Sequence, residues 1–288
     1  MRMSEKIYPI GIQNFEKIRK EGYFYIDKTA LIYRLVKTGS YYFLSRPRRF
    51  GKSLLISTLD AYFRGEKELF KGLAIEKLEK DWVQRPVLHI DLNIGKYDAP
   101  DSLDKILNEA LVKWESVFGT GAGESTLALR FKGVVERAYK QSGQRVAILV
   151  DEYDKPLLQA IGNEELQREY RNTLKPFYGV LKTMDGCIQF AMLTGVTKFG
   201  KVSVFSDLNN LDDISMRKQY VDICGVSEKE LHDNLEIELH ELADAKELTY
   251  GELCNRLREY YDGYHFTYNS IGIYNPFSLL NTFKYREF

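Results

Sequence analysis

Residues Ser45–Leu55 read SRPRRFGKSLL and follow the short aromatic run YYFL at Tyr41–Leu44. A Gly-Lys-Ser triplet between an apolar strand and a helix is where backbone N–H groups and a helix N-terminus converge on an anion. The phosphate-loop pattern is G-x-x-x-x-G-K-[ST], and Arg46 stands where its first glycine belongs. Taken alone the triplet is a weak signal, because average residue frequencies place it in about one chain in ten of this length. Its position strengthens it. Downstream, Leu54, Leu55, Leu59, Tyr62 and Phe63 recur at helical spacing, and Gly65 ends the run. In this reading Lys52 reaches the β- and γ-phosphates of a nucleotide, and Ser53 sets its hydroxyl on Mg²⁺.

A second signal lies about a hundred residues on, in VAILVDEYD. The run Val146–Val150 is apolar on both faces, as in a parallel sheet covered by helices, and it ends in Asp151 and Glu152. Acidic residues at the C-terminal tip of such a strand sit where α/β sites form. Asp151 would hold Mg²⁺ and Glu152 would activate the attacking water. A buried strand with a charged exit is the competing structural reading. The third signal is FAMLTGV, a strand ending in Thr194, where a polar group could sense the γ-phosphate or position the water. A strand-end cap is the plainer role for a lone threonine. Strand–GKS–helix, strand–DE and strand–T occur in the order that the glutamate-containing branch of phosphate-loop ATPases requires, and that order decides for a nucleotide site.

The rest of the chain fits an α/β fold. Helices are expected around IQNFEKIRKEG, KTALIYRLVKTG, SLDKILNEALVKWESVFG, STLALRFKGVVERAYKQSG and ELQREYRNTLKPFYGVLKTM, the last with a kink at Pro176. PVLHIDL reads as a further buried strand and QYVDIC as the fifth. After residue 225 two helices follow without a strand between them, then a hairpin YHFTYNSIGIYN turning at Asn269-Ser270. The final PFSLLNTFKYREF starts like a helix and stops, as an interrupted domain would.

Composition narrows the class. With 288 residues and 44% hydrophobic content there is material for a large core. Lys+Arg and Asp+Glu balance at 41 each, which removes any global charge argument for nucleic acid. Cys187, Cys224 and Cys254 are far apart and the four histidines are scattered, so neither disulfides nor a zinc site is expected. No run approaches a membrane span or a signal peptide, and the expected location is the cytoplasm.

The blocks YIDKTALIYRLV, YYFLSRPRRFGKSLLISTLDAYF, ILVDEYDKPL, LTGVTKFGKVSVFSDLNNLDDIS and YYDGYHF…YNPFSLLN resemble the bacterial AAA-ATPase-like family of phosphate-loop ATPases, related to the archaeal-type ATPases of the STAND group. In that family the loop resembles R-P-R-R-F-G-K-S, so Arg46 agrees with the family's own pattern. The resemblance implies a phosphate-loop NTPase of the additional-strand, catalytic-glutamate (ASCE) type, with a mostly parallel five-stranded sheet in the order 5-1-4-3-2. It implies ATP and Mg²⁺ as ligands, held by Arg46, Pro47, Arg48, Arg49, Phe50, Gly51, Lys52, Ser53 and Leu54, with Ser53 and Asp151 on the metal and Glu152 and Thr194 in catalysis.

Residues 1–225 are expected to form the ATPase core with an N-terminal helical extension, and 226–288 a truncated, lid-like helical segment. The leading function is ATP hydrolysis, slow in this chain. The alternative is a nucleotide-dependent switch that gates a partner or a C-terminal PD-(D/E)XK nuclease-like region found in longer family members. A kinase is disfavoured because Glu152 directly after Asp151 is a water-activating arrangement. Self-association is a further expected partnership. Nucleic acid, through TKFGKVSVF and the loop arginines, has little support. Arg217 is the best arginine for a transition-state contact, with a surface salt bridge as its competing role.

Overall fold

The apolar runs are arranged so that successive side chains serve two different cores. A computed structural model describes residues 6–197 and 210–288. Five strands, β1 (Tyr41–Ser45), β2 (Val87–Asp91), β3 (Val146–Asp151), β4 (Ile188–Gly195) and β5 (Asp212–Asp213), form one parallel sheet. From one edge the order is β5-β1-β4-β3-β2. Tyr41, Phe43, Val146, Ile148 and Val150 point into one layer, and Tyr42, Leu44, Ala147 and Leu149 into the other. All six residues of β3 are buried, which is why its sequence is a continuous apolar run rather than an alternation.

One face is covered by α5 (Ser102–Phe118), α6 (Leu127–Ser142) and α8 (Glu164–Thr183), through side chains such as Leu103, Leu107 and Leu111 at four-residue spacing. The other carries α2 (Thr29–Thr38) and α3 (Lys52–Phe63). The short α1 (Phe15–Lys20) and α4 (Ala74–Leu78) pack on α3 and α2, and α7 (Lys155–Gln159) packs on α8. After them come β6 (Val226–Ser227), α9 (Glu228–Ala245), α10 (Tyr250–Tyr261), β7 (Ile273–Tyr274) and α11 (Pro276–Tyr285). Their core of Leu231, Leu235, Leu239, Leu253, Leu257 and Phe283 also takes in Tyr8, Phe24 and Ile26 from the N-terminal stretch. Among the described residues no helix is long and apolar enough to cross a membrane.

Two expectations need correction. The fifth strand is Asp212–Asp213, inside the stretch read as loop, whereas Lys218–Tyr220 is a 3₁₀ turn. Tyr220, Val221, Ile223 and Cys224 are buried against the sheet without pairing into it, and a short apolar run cannot distinguish the two outcomes. The hairpin is a single bridge between Tyr264 and Ile273; Ile273–Tyr274 pairs instead with Val226–Ser227. Asn269 does take the left-handed turn conformation, at φ 51°. Helix α8 runs unbroken through Pro176. Pro176 and Asn172, whose carbonyl loses its helical partner, are both exposed, so water can satisfy that oxygen.

Glu79 ties three of these elements together. Its buried carboxylate receives Lys37 Nζ at 2.8 Å from α2, the Tyr62 hydroxyl from α3, and the amides of Lys80 and Asp81. Burial alone would push its pKa up, but the bonds from Lys37, Tyr62 and Asp81 outweigh it and hold the group at about 2. A carboxylate depressed in the folded state stabilises above its unfolded pKa and loses that contribution as pH falls through the folded one. Glu79→Gln is therefore expected to cost on the order of 2–3 kcal/mol at pH 7. Denaturant unfolding at a series of pH values should show the difference shrinking between about 4.5 and 2; a pH-independent difference would rule the ionised network out.

Candidate nucleotide site

Parallel strands bring their C-terminal ends to one edge, and the pairing aligns Ser45 with Gly195 and Asp91 with Asp151 there. The loop Arg46–Gly51 leaves β1 at this edge and delivers Lys52 as the first residue of α3. Two of its residues are left-handed, Arg49 at φ 67° and Gly51 at φ 93°. Arg46 is not among the positive-φ residues, so the position of the general pattern's first glycine has no need of glycine here.

Lys52 is buried. Its ammonium donates to the carbonyls of Arg46 at 3.1 Å and Pro47 at 3.3 Å, and pairs with Glu152 Oε1 at 3.0 Å. Glu152 follows β3 in a left-handed conformation, φ 54°, which turns its side chain back towards the loop. Burial pushes its pKa up, Lys52 opposes the shift, and Asp151 and Asp154 add to it. A carboxylate with raised basicity beside a buried lysine is suited to accept a proton from water.

The residues around this pair act through hydrogen bonds. Thr194 is fully buried and donates from Oγ1 to Asp151 Oδ1, so it orients the Asp151 carboxylate. Asp154 accepts from the amides of Val196 (3.1 Å) and Thr197 (2.7 Å) and from the Thr197 hydroxyl, while the Tyr153 hydroxyl donates to the Thr197 carbonyl. Gly195 lies between them. A Cβ there would stand 2.5 Å from Tyr153 Cε1 and 2.7 Å from Asp154 Oδ1, so the close approach needs glycine.

A cavity of about 410 Å³ opens over the loop. Arg48, Arg49, Gly51, Lys52, Ser53 and Leu54 line one side, and Glu152, Lys155 and Asn93 another. Pro9–Gln13 and the start of α11 complete it. A smaller apolar slot of about 110 Å³, walled by Phe24, Ile26, Leu55 and Cys224, shares Pro9, Gly51, Leu54, Pro276 and Leu280 with the cavity. Ser53 lines the cavity, whereas Asp151, buried and bonded to Thr194, does not; oxygen donors of this kind suit Mg²⁺, which commonly takes only one or two protein carboxylates. Among the described residues no group of three or more His, Cys, Asp or Glu is placed to hold a metal by itself.

Three of the expected nucleotide residues do not line the cavity. Pro47 contributes its carbonyl to Lys52, and Phe50 is buried in the wall of the apolar slot. Arg46 is turned away altogether: its guanidinium donates to the carbonyls of Ser45, Ser215, Tyr220 and Val221. Arg217 pairs with Asp212, the competing role read for it, and does not line the cavity. Of TKFGKVSVF, all but Thr197 lies outside the described residues. Asp154 and Lys155 follow the acidic pair directly, and Asn93, which accepts from Lys155, lies just after β2; none of the three carries a motif, and nothing in Pro9–Gln13 signals a site.

A parallel sheet with a GKS loop after its first strand and an acidic pair at the tip of its third defines an α/β protein of the phosphate-loop kind. The family model described as "Predicted AAA-ATPase" matches residues 9–205, and the chain belongs to that family. A relative from Azotobacter chroococcum mcd 1, described as an uncharacterized protein in the vnfD 5′ region, is 42% identical over 288 residues. The match covers 99% of this chain and 53% of the relative, so the chain spans about half of that protein's length. No solved structure matches the chain.

Replacing Arg46 tests the assignment of its side chain to the fold. Arg46→Gly would bring the loop to the general pattern but leave three buried carbonyls of residues 215–221 without their donor. The expected loss is roughly 3 kcal/mol or more. Arg48→Gly, at an exposed loop position, should stay within about 0.5 kcal/mol. Urea unfolding of both variants decides; equal stabilities would mean that the carbonyl cage contributes nothing.

Proposed function

We propose that the protein binds Mg-ATP and hydrolyses it, with Glu152 as the base. The observation that supports this best is the Lys52–Glu152 pair at the floor of the cavity, a phosphate-binding cation and a proton acceptor 3.0 Å apart. The polyphosphate would follow the loop, with Arg48 and Arg49 at its side, and the base would enter the adjoining apolar slot. Ser53 and Asp151 would hold Mg²⁺, which when bound neutralises charge on the phosphate oxygens. Glu152 then takes a proton from water as the water oxygen bonds to the γ-phosphorus and the bond to the bridging oxygen breaks, leaving ADP and phosphate. Thr194 serves this step through Asp151.

Lys52 cannot serve the phosphates and Glu152 at full strength together. Lys52→Ala should weaken ATP binding at least tenfold, roughly 1.4 kcal/mol or more, since it removes the cation and leaves Glu152 facing the phosphates. Glu152→Gln should bind ATP at least as tightly as the parent chain while turnover falls roughly 10²-fold. Calorimetric titration and steady-state hydrolysis test both. Unchanged hydrolysis in Glu152→Gln would remove the base from the scheme.

A slow, switch-like use of the same site has an observation of its own. Arg217 is held by Asp212, and a transition-state arginine can be worth roughly 10³–10⁵ in rate. In this reading residues 226–288 act as a lid whose α11 closes the cavity, and the transition-state arginine comes from a second copy or from sequence that the longer relative carries. Hydrolysis per molecule should then rise with protein concentration or on adding that region. A fast rate independent of both would leave the simple ATPase.

A further inference from the structure

Three loop side chains leave the cavity edge and land on one stretch near the end of the chain. The Arg46 guanidinium lies 3.9 Å over the ring of Phe266. The Phe50 ring meets Tyr264 edge-on at 4.6 Å and Phe266 at 5.6 Å. Arg49 lies 3.9 Å over Phe277. Backbone contacts reinforce these: Gly225 N–H donates to the Phe50 carbonyl at 3.0 Å, and Ile273 N–H to the Tyr264 carbonyl at 3.1 Å. At Gly225, with φ 91°, a Cβ would stand 2.2 Å from Ile273 Cγ2 and 3.1 Å from Phe50. Gly225 therefore sits between Phe50 of the loop and Ile273 of the 264–277 segment without room for one more carbon.

Phe50 stands between the two left-handed residues, Arg49 and Gly51. Holding its ring on one side and its carbonyl on the other fixes both adjoining peptide planes. Phe266 lines neither the cavity nor the apolar slot, so any influence on a ligand must pass through the loop. We propose that Phe266, with Tyr264, is a positioning residue for the phosphate loop, so that nucleotide affinity depends on the docking of segment 264–277. By reciprocity a bound nucleotide strengthens that docking, which would carry the state of the site to the C-terminal helices. The nucleotide half of this proposal rests on the reading of the cavity given above; the positioning half does not.

Hydrogen exchange by NMR and calorimetry with Mg-ATP test the two halves on the intact chain. Without nucleotide, Phe266→Ala should speed exchange at the Arg46 and Gly225 amides by about tenfold, with the β3 amides unchanged as a control for folding. Phe266→Tyr, which keeps the ring, should restore both amides. Phe266→Ala should also weaken Mg-ATP binding by about fivefold or more, again rescued by Phe266→Tyr, and Mg-ATP should slow exchange at Ile273 in the parent chain. Unchanged Arg46 and Gly225 amides in Phe266→Ala would overturn the proposal whatever the nucleotide does, as would equal affinities of the parent and Phe266→Ala. Faster amides in a protein whose parent chain binds no Mg-ATP would leave the loop positioning standing and sink the nucleotide reading instead.

Discussion

Beneath the phosphate loop a guanidinium is buried with backbone carbonyls on one side and an aromatic ring on the other. Desolvation pushes its pKa down, and nearby Cys224, Asp213 and Asp222 act against that. An arginine is suited to this place because its planar fork can serve several carbonyls while its face stacks on a ring. The consequence reaches across the fold. The bonds to Ser215, Tyr220 and Val221 tie the turn that follows the short fifth strand to the base of the loop. The loop above takes its shape from this anchor, with the left-handed turns shifted to Arg49 and Gly51.

Electrostatics at the cavity follow from the same geometry. With Arg46 committed to the fold, Lys52 is the buried cation facing Glu152, while Arg48 and Arg49 stay at the exposed rim. Burying an ion pair costs desolvation, offset here by the two loop carbonyls that also receive the lysine. A ligand able to compete for that lysine must bring concentrated negative charge. The neighbouring slot is apolar and the cavity is rimmed by cations, a division that suits a molecule with a flat base at one end and phosphates at the other.

The second half of the site is held by bonds between neighbours in the sheet. Thr194 orients Asp151, and Asp154 and Tyr153 secure Thr197 through two amides and a carbonyl. The sequence DEYD thus divides its labour. Asp151 is buried against Thr194, Glu152 lines the cavity beside Lys52, and the last two hold the next strand's exit at a distance that glycine at 195 makes tolerable.

Local pattern was enough to determine the layered α/β core, the run of strand, GKS and helix, and the acidic pair at the tip of β3. These depend on hydrophobic period and on residues adjacent in the chain, which sequence records directly. Asp212–Asp213 and Tyr220–Cys224 exchanged roles because two residues suffice to pair at a sheet edge, while an apolar run can be buried without pairing. Arg46 looked like a phosphate contact because its charge is visible in sequence and its direction is not. Its partners Ser215, Tyr220 and Val221 lie about 170 residues away, and the Phe266 ring beneath it and the α11 residues that line the cavity lie farther still along the chain. Contacts at that separation are decided by how the layers pack, and only the tertiary structure could show that the loop's arginines serve two different purposes.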